Sequence, residues 1–100
     1  MTFVCNLNAI APENRERHQQ ISHELLSIER EEIRELPEGY GFRFPADSAL
    51  CLKIAEFISN ERLCCSFFTF TLEVAADEGA MWLRITGHES VKQFIQAEMG

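Results

Sequence analysis

Apolar residues that alternate with polar ones mark the strands of this chain. Successive side chains of a strand point to opposite faces, so every second residue shares a face. Three runs follow this pattern: Tyr40, Phe42 and Phe44; Phe68, Phe70, Leu72 and Val74; and Met81, Leu83 and Ile85. A less regular run at 32–36 precedes a turn signal at 37–39 and is predicted to pair with the first of them. Residues 2–8 predict a further short strand with Cys5 and Leu7 on one face.

Apolar residues spaced three and four positions apart predict three helices. Pro12 suits the first turn of a helix that runs to about Ile28, and Asp47 can cap a second helix that ends near Leu63. The capping-box spacing at 86–89 predicts the start of the third helix. The predicted buried positions are Ile21, Leu25, Leu26 and Ile28 in the first helix, Leu50, Ile54, Phe57 and Ile58 in the second, and Val91, Phe94 and Ile95 in the third.

The predicted element order is β-α-β-β-α-β-β-α, which indicates an α+β fold. One hundred residues make a single domain, expected to span residues 1–100. The simplest architecture is an antiparallel sheet of four to five strands with three helices on one face. Trp82 and Arg84 would then lie on the opposite face, where a second copy of the chain could cover them. A homodimer is therefore one hypothesis.

Composition excludes several classes of partner. The formal net charge of −7, from 16 acidic and 9 basic residues, would repel a phosphate backbone, so nucleic acid is not expected as a partner. No apolar run approaches the length that crosses a bilayer, so no membrane association is expected either. The N-terminal sequence lacks a basic stretch followed by an apolar one, and we expect a cytoplasmic protein. No phosphate loop or dinucleotide fingerprint is present, so no organic cofactor is indicated.

The adjacent cysteines Cys64 and Cys65 carry most of the chemical information in the sequence. They fall where the helical pattern ends and the strand pattern begins, so their side chains can escape the divergence that a regular helix or strand imposes. Thiolates bind soft or borderline ions such as Hg(II), As(III), Cu(I) and Zn(II). Cys5 offers a third sulfur if the first strand lies beside this junction. Cys51 is expected to pack in the core as a small apolar residue.

All four cysteines are expected to be thiols in a reducing cytoplasm. The C-terminal end of a helix carries partial negative charge, which opposes the ionisation of thiols placed there. Arg62 could offset this effect, and a bound metal ion would displace the thiol protons directly.

Glu61 has two interpretations: a structural ion pair at the helix end, which we favour, or an acid, base or supporting group beside the cysteines. It continues the apolar stripe of the second helix, one turn before Cys65. Burial of an unpaired charge is costly, so the carboxylate needs a partner. Arg84 or Arg43, each projecting from a strand, is expected to supply it through a two-pronged contact. Arg84 therefore belongs with Glu61 and Arg62 in the predicted supporting shell.

The three histidines carry weaker signals. His18 and His23 lie five positions apart, a poor helical spacing for two ligands of one ion, and both are expected at the surface or at the edge of the apolar stripe. His88 lies in the predicted first turn of the last helix, from which its side chain could face a neighbouring loop. It is the fourth member of the predicted supporting shell.

The run at 61–68, Glu-Arg-Leu-Cys-Cys-Ser-Phe-Phe, resembles the Glu-Arg-x-Cys-Cys-Pro-Phe segment of a group of small uncharacterised bacterial proteins. The similarity extends to Cys5 and to the stretches at 39–40, 44–47 and 82–87. This chain departs from the group at 66, where a serine replaces the proline. The resemblance implies that the first cysteine and the adjacent pair act together, and it implies no particular activity.

Three functional hypotheses fit these features. The leading one is a small thiol protein that binds a soft metal or metalloid ion through Cys5, Cys64 and Cys65, to sequester, deliver or sense it. The second is a thiol-dependent redox enzyme, in which one of the adjacent pair is the nucleophile and the other, or Cys5, is the resolving thiol. The third is a structural or interaction module in which the cysteines are merely packed.

Overall fold

The described part of the chain forms one antiparallel sheet and three helices. The structure, a computed structural model, describes the backbone of residues 6–77 and 79–99, and the side chains of the same residues apart from 89–91, 98 and 99. The helices are α1 (Pro12–His23), α2 (Ser48–Cys64) and α3 (Glu89–Met99), and the strands are β1 (Glu32–Leu36), β2 (Gly39–Pro45), β3 (Thr69–Val74) and β4 (Ala80–Thr86). The strands lie in the order β1-β2-β4-β3, and each neighbouring pair is antiparallel. The predicted α+β domain is confirmed.

The segment predicted as the first strand takes another form where it is described. Leu7–Ala9 is a 3₁₀ turn, and the side-chain oxygen of Asn6 accepts a hydrogen bond from the N–H of Asn8 at 3.1 Å. Asparagine side chains offer the backbone this alternative to strand pairing, which is the physical reason for the difference. Residues 1–5, which include Cys5, lie outside the described residues.

One hydrophobic core joins the helices to a single face of the sheet. Phe42 of β2 and Leu83 of β4 are paired across the strands and fully buried. Ile54 and Phe57 of α2 belong to the same buried cluster, and Ile95 brings α3 into it. The apolar residues of the alternating pattern are therefore the side chains on the face of the sheet that packs against the helices.

The opposite face of the sheet is covered by side chains of the chain itself. Trp82 is only 9% exposed, and the guanidinium of Arg34 lies 4.5 Å from the centroid of its ring, in cation–π geometry. Gly41 of the neighbouring strand faces the same ring, and a Cβ there would come within 3.4 Å of Cε3 of Trp82. Burial of this tryptophan requires no second copy, and the homodimer stays a prediction.

Helix α1 continues beyond its last residue as a π-helical turn, Glu24–Glu29. Hydrogen bonds from i to i+5 put more residues in each turn than an α-helix has, so the apolar stripe shifts around the helix. Leu25 is fully buried as predicted, but Ile28, also predicted to be buried, is 64% exposed. Val74 at the end of the edge strand β3 is likewise exposed, against the prediction. No helix in the described ranges has the length and apolar character to cross a bilayer.

Ion pairs hold α1 and the π-helical turn against α2. Arg17 donates two hydrogen bonds to the carboxylate of Glu56, at 2.5 and 2.9 Å. Lys53 pairs with both Glu24 and Glu29. The hydrogen bonds from Arg17 hold the pKa of Glu56 below its usual value, and the contact with Lys53 does the same to the pKa of Glu24.

Replacing Glu56 with glutamine is expected to remove a pH-dependent part of the stability. Because Arg17 lowers the pKa of the folded-state carboxyl, the stabilisation is fully present above the ordinary pKa of 4.5 and is lost as the pH falls through the lowered value. The wild-type free energy of unfolding should exceed that of Glu56→Gln at neutral pH, and the two should converge in acid. Urea titrations at both pH values measure this, with Glu16→Gln, an exposed change on α1, as control. A difference that persists unchanged in acid would contradict it.

Candidate metal centre

The C-terminal end of α2 positions the adjacent cysteines. The N–H of Cys65 donates to the carbonyl oxygen of Glu61 at 2.7 Å and closes the last turn of the helix. Cys65 then leaves the helical conformation, with φ −119° and ψ 73°. The N–H of Phe68 donates to the carbonyl oxygen of Cys65 at 3.2 Å, which turns the chain toward β3. The predicted helix-to-strand junction is therefore present at the cysteine pair.

A carboxylate and two sulfur atoms converge at this junction. One oxygen of Glu61 and the Sγ atoms of Cys64 and Cys65 all lie within 4.8 Å of one another. It is the one group of three or more His, Cys, Asp or Glu ligand atoms found among the described residues. Cys64 is 8% exposed, Cys65 is 1% exposed and the side chain of Glu61 is 17% exposed, so the cluster is largely withdrawn from water.

The partner of the Glu61 carboxylate is His18 of α1. The ring Nε2 of His18 lies 2.8 Å from Oε1 of Glu61, and the histidine is only 3% exposed. The prediction that Arg84 or Arg43 fills this role is wrong. Both arginines occupy strand positions whose side chains face away from the helices, because side chains alternate along a strand.

His18 is the functional residue that sequence reasoning missed. The expectation of a surface or edge position is wrong, because His18, Ile21 and Leu25 follow a helical spacing of three and four and share the buried face of α1. This spacing is the feature of the sequence that could have predicted the burial of His18. The predicted exposure of His23 is confirmed.

The His18 ring is fixed by contacts on two sides. A carboxylate accepts hydrogen bonds, so Nε2 carries the hydrogen in its contact with Glu61. The ring stacks on Phe57, with centroids 5.6 Å apart and planes 17° apart. The other ring nitrogen, Nδ1, is buried and has no hydrogen-bond partner among the described protein atoms. The imidazole is thus held by one hydrogen bond and by packing.

The segment at 6–10 lies against the cysteines. The N–H of Asn6 donates to the carbonyl oxygen of Cys64 at 2.8 Å, and Ile10 is buried in a small cluster with Cys64 and Cys65. Arg15 of α1 anchors the segment by donating to the carbonyl oxygen of Ile10 at 2.9 Å. The residue that precedes Asn6 in the chain is Cys5.

The cysteines differ in chemical state. Cys65 is disulfide-bonded, whereas Cys51 and Cys64 carry thiols. The expectation of thiols at all four positions therefore fails at Cys65, which must be reduced before its sulfur can serve as a thiolate ligand. Cys51 is partly buried and packs against the core, as predicted.

The remaining predicted members of the supporting shell are not among the three residues of this cluster. Arg62 is exposed in the last turn of α2, and His88 is exposed immediately before α3. Arg84 donates to Glu73 of β3 at 3.1 Å. Of the four residues predicted to support the cysteines, Glu61 is the one that belongs to the cluster with Cys64 and Cys65.

A pocket of about 400 Å³ opens beside the cluster. Its polar lining residues are His18, Gln19, Ser22, His23, Ser27 and Glu61, together with Cys64. Phe68 and Phe94 line the apolar side, with ring centroids 6.0 Å apart. Apolar walls with a few convergent polar groups are typical of sites for small molecules.

The donor set of this site suits a soft or borderline cation. Sulfur ligands select ions such as Cu(I), Zn(II) and other thiophilic centres, and a carboxylate adds a further negative charge. Comparisons with protein-family models, with curated proteins and with solved structures found no match. The resemblance to the Glu-Arg-x-Cys-Cys-Pro-Phe group stays a prediction.

Removing the Glu61 carboxylate is expected to destabilise the fold. Glu61→Ala leaves both ring nitrogens of buried His18 without a partner, at a cost of about 1–3 kcal/mol in the free energy of unfolding. Glu61→Gln keeps an oxygen that accepts from Nε2 and should cost less. Urea denaturation measures both, and Glu73→Ala, which removes an exposed carboxylate, should cost less than about 1 kcal/mol. Equal losses in the alanine and glutamine variants of Glu61 would show that this hydrogen bond does not matter.

Proposed function

We propose that this protein binds a soft metal or metalloid ion through Cys64 and Cys65, with Cys5 as a third sulfur ligand. In this proposal the protein sequesters, delivers or senses the ion and catalyses no reaction on it. The observation that carries the proposal is the approach of two sulfur atoms and the Glu61 carboxylate to within 4.8 Å of one another.

The separations in the cluster are close to those of a shared ion. Two sulfur atoms bonded to one ion at about 2.3 Å lie roughly 4 Å apart, so the ligand atoms need to approach by at most about 1 Å. Side-chain rotation at Cys64 and Cys65 is sufficient for a movement of this size. Withdrawal of the cluster from water strengthens the attraction between its negative groups and a cation.

Glu61 and His18 have supporting roles in this proposal. The carboxylate either supplies an oxygen ligand or balances the charge of the ion. The 2.8 Å contact with His18 fixes the direction of the carboxylate, as hydrogen bonds to ligand side chains do in metal sites. The histidine thus positions Glu61 and does not itself bind the ion.

Cys5 remains the proposed third ligand because of its place in the chain. Its neighbour Asn6 is bonded to the carbonyl oxygen of Cys64 at 2.8 Å, and consecutive Cα atoms are about 3.8 Å apart. Three thiolates would suit As(III) or Hg(II), whereas two thiolates with the Glu61 carboxylate would suit Zn(II).

The proposal requires the reduced form of the protein. Cys65 is disulfide-bonded in the structure, and a sulfur in a disulfide is not a thiolate ligand. Thiols stay reduced in the cytoplasm, which is the compartment that we propose for the working protein. Oxidation would close the site by removing one ligand.

Replacing both adjacent cysteines is expected to abolish tight binding of the ion. Protein reduced with a phosphine and held without oxygen is titrated with Hg(II), As(III), Cu(I) and Zn(II) in competition with a chelator of known affinity. At least one ion should bind one-to-one, and about 100-fold or more tightly than to Cys64→Ser/Cys65→Ser, since two of its ligands are lost. Cys51→Ser is the matched control and should bind as the wild type does.

Two results would count against metal binding. The first is equal affinity of the wild type and the double variant for all four ions. The second is equal affinity of the reduced and oxidised forms, because oxidation removes the Cys65 thiolate. In either case the packed-cysteine module becomes the better description, since both side chains are buried beside Ile10.

A thiol-dependent redox enzyme is the second candidate, favoured by the disulfide at Cys65. The Cys64 thiol lies with its sulfur within 4.8 Å of the Cys65 sulfur, and thiol–disulfide exchange begins with attack of a thiolate on a disulfide sulfur. Such an enzyme needs a nucleophile whose pKa is well below the ordinary cysteine value of about 8.5.

The rate of alkylation of Cys64 against pH tests this second candidate. Iodoacetamide is used on wild type and on Cys51→Ser, so that the reaction of Cys51 can be subtracted. An enzymatic nucleophile should give a midpoint well below about pH 8.5. A midpoint at or above that value excludes a fast nucleophile and leaves metal binding in place.

A further inference from the structure

The pocket beside the cluster is larger than a bare ion requires. This open pocket has a volume of about 400 Å³ and shares Cys64 and Glu61 with the cluster. Its remaining walls include the apolar side chains of Leu26, Phe68 and Phe94. A thiophilic centre held by the cysteine sulfurs would therefore have an apolar space directly at its side.

We propose that this pocket holds the organic group of a mono-organic arsenical, an As(III) centre that carries one small aryl or alkyl substituent. The arsenic would bind Cys64 and Cys65, and the substituent would lie in the pocket against the rings of Phe68 and Phe94. This inference rests on the proposed function and deepens it by naming the class of ligand.

Two sulfur ligands are enough for this class, whereas inorganic arsenite would also use Cys5, the third ligand of the proposed function. Three-coordinate As(III) without a substituent takes three thiolates, whereas one organic group occupies one of the three places and leaves two. The described cluster supplies two sulfur atoms. A cavity of about 150 Å³ lined by apolar side chains can hold benzene, so a single aryl ring fits within the volume available here.

The walls suit an aromatic substituent in particular. The rings of Phe68 and Phe94, which both line the pocket, lie 6.0 Å apart between centroids. Aromatic rings prefer edge-to-face or offset contacts at such distances, and the planes of this pair are inclined at 51°. A bound aryl ring would extend this set of contacts.

Binding of phenylarsine oxide, the probe for this class, balances without an oxidant. The thiols of reduced Cys64 and Cys65 form two As–S bonds to the arsenic. The arsenic–oxygen bond breaks, and the oxygen leaves as one water with the two thiol protons. The As–phenyl bond stays intact, and arsenic remains As(III).

Filling the pocket should weaken the binding of phenylarsine oxide but not the binding of inorganic arsenite. Phosphine-reduced wild type, Leu26→Trp and Phe94→Ala are titrated calorimetrically with phenylarsine oxide and with sodium arsenite. Leu26→Trp occupies the pocket, and Phe94→Ala removes one aromatic wall. Each should weaken phenylarsine oxide binding by about tenfold or more and change arsenite binding by less than about twofold. Leu52→Trp, at an exposed leucine on α2, should change neither.

The outcomes distinguish this inference from the function on which it rests. If wild type binds neither arsenical, the proposed function fails for arsenic and the inference fails with it. In another outcome, wild type binds both arsenicals while the pocket variants weaken the binding of both equally, or of neither. The pocket then does not hold the substituent, and only the proposed metalloid site is supported. If circular dichroism shows that Leu26→Trp does not fold, the ratio of the two affinities in Phe94→Ala decides.

Discussion

The hydrogen bond between His18 and Glu61 joins two helices at the point where the chemistry of this protein is concentrated. A carboxylate that is mostly withdrawn from water is costly unless it is paired, so Glu61 keeps its place only while His18 is opposite it. The carbonyl of the same glutamate accepts the N–H of Cys65. Because one residue serves both contacts, the packing of α1 on α2 also sets where the cysteine sulfurs lie.

The two cysteines are unequal in their access to the pocket. Cys64 lines it and is slightly exposed, whereas Cys65 does not line it, is almost completely buried and is disulfide-bonded. In the proposed function, an incoming thiophilic centre would therefore meet Cys64 first. Bonding to Cys65 requires reduction and a small movement of its side chain. Ile10 is buried in one small cluster with both cysteines.

Local pattern predicted most of the backbone because it depends on few residues at a time. Alternation at Phe42 and Leu83 located strands whose inner face meets the helices. Asp47 was predicted to cap α2, and its side chain does accept a hydrogen bond from the N–H of Leu50. The helix-to-strand junction at the adjacent cysteines was predicted from local pattern as well, because a helical pattern ends there and a strand pattern begins. These features are set by neighbours in the chain.

The sequence by itself determined the three helices, the four strands of the antiparallel sheet and the position of the cysteine pair at a helix end, but not the 3₁₀ turn at Leu7–Ala9. Only the tertiary structure decided the partner of Glu61, because Arg84 and His18 both offered plausible chemistry and the choice depends on which face of each element meets the core. It also decided the exposure of Ile28, through a π-helical turn that shifts the stripe. Periodicity fixes relative positions within one element, whereas contacts between elements depend on how they pack.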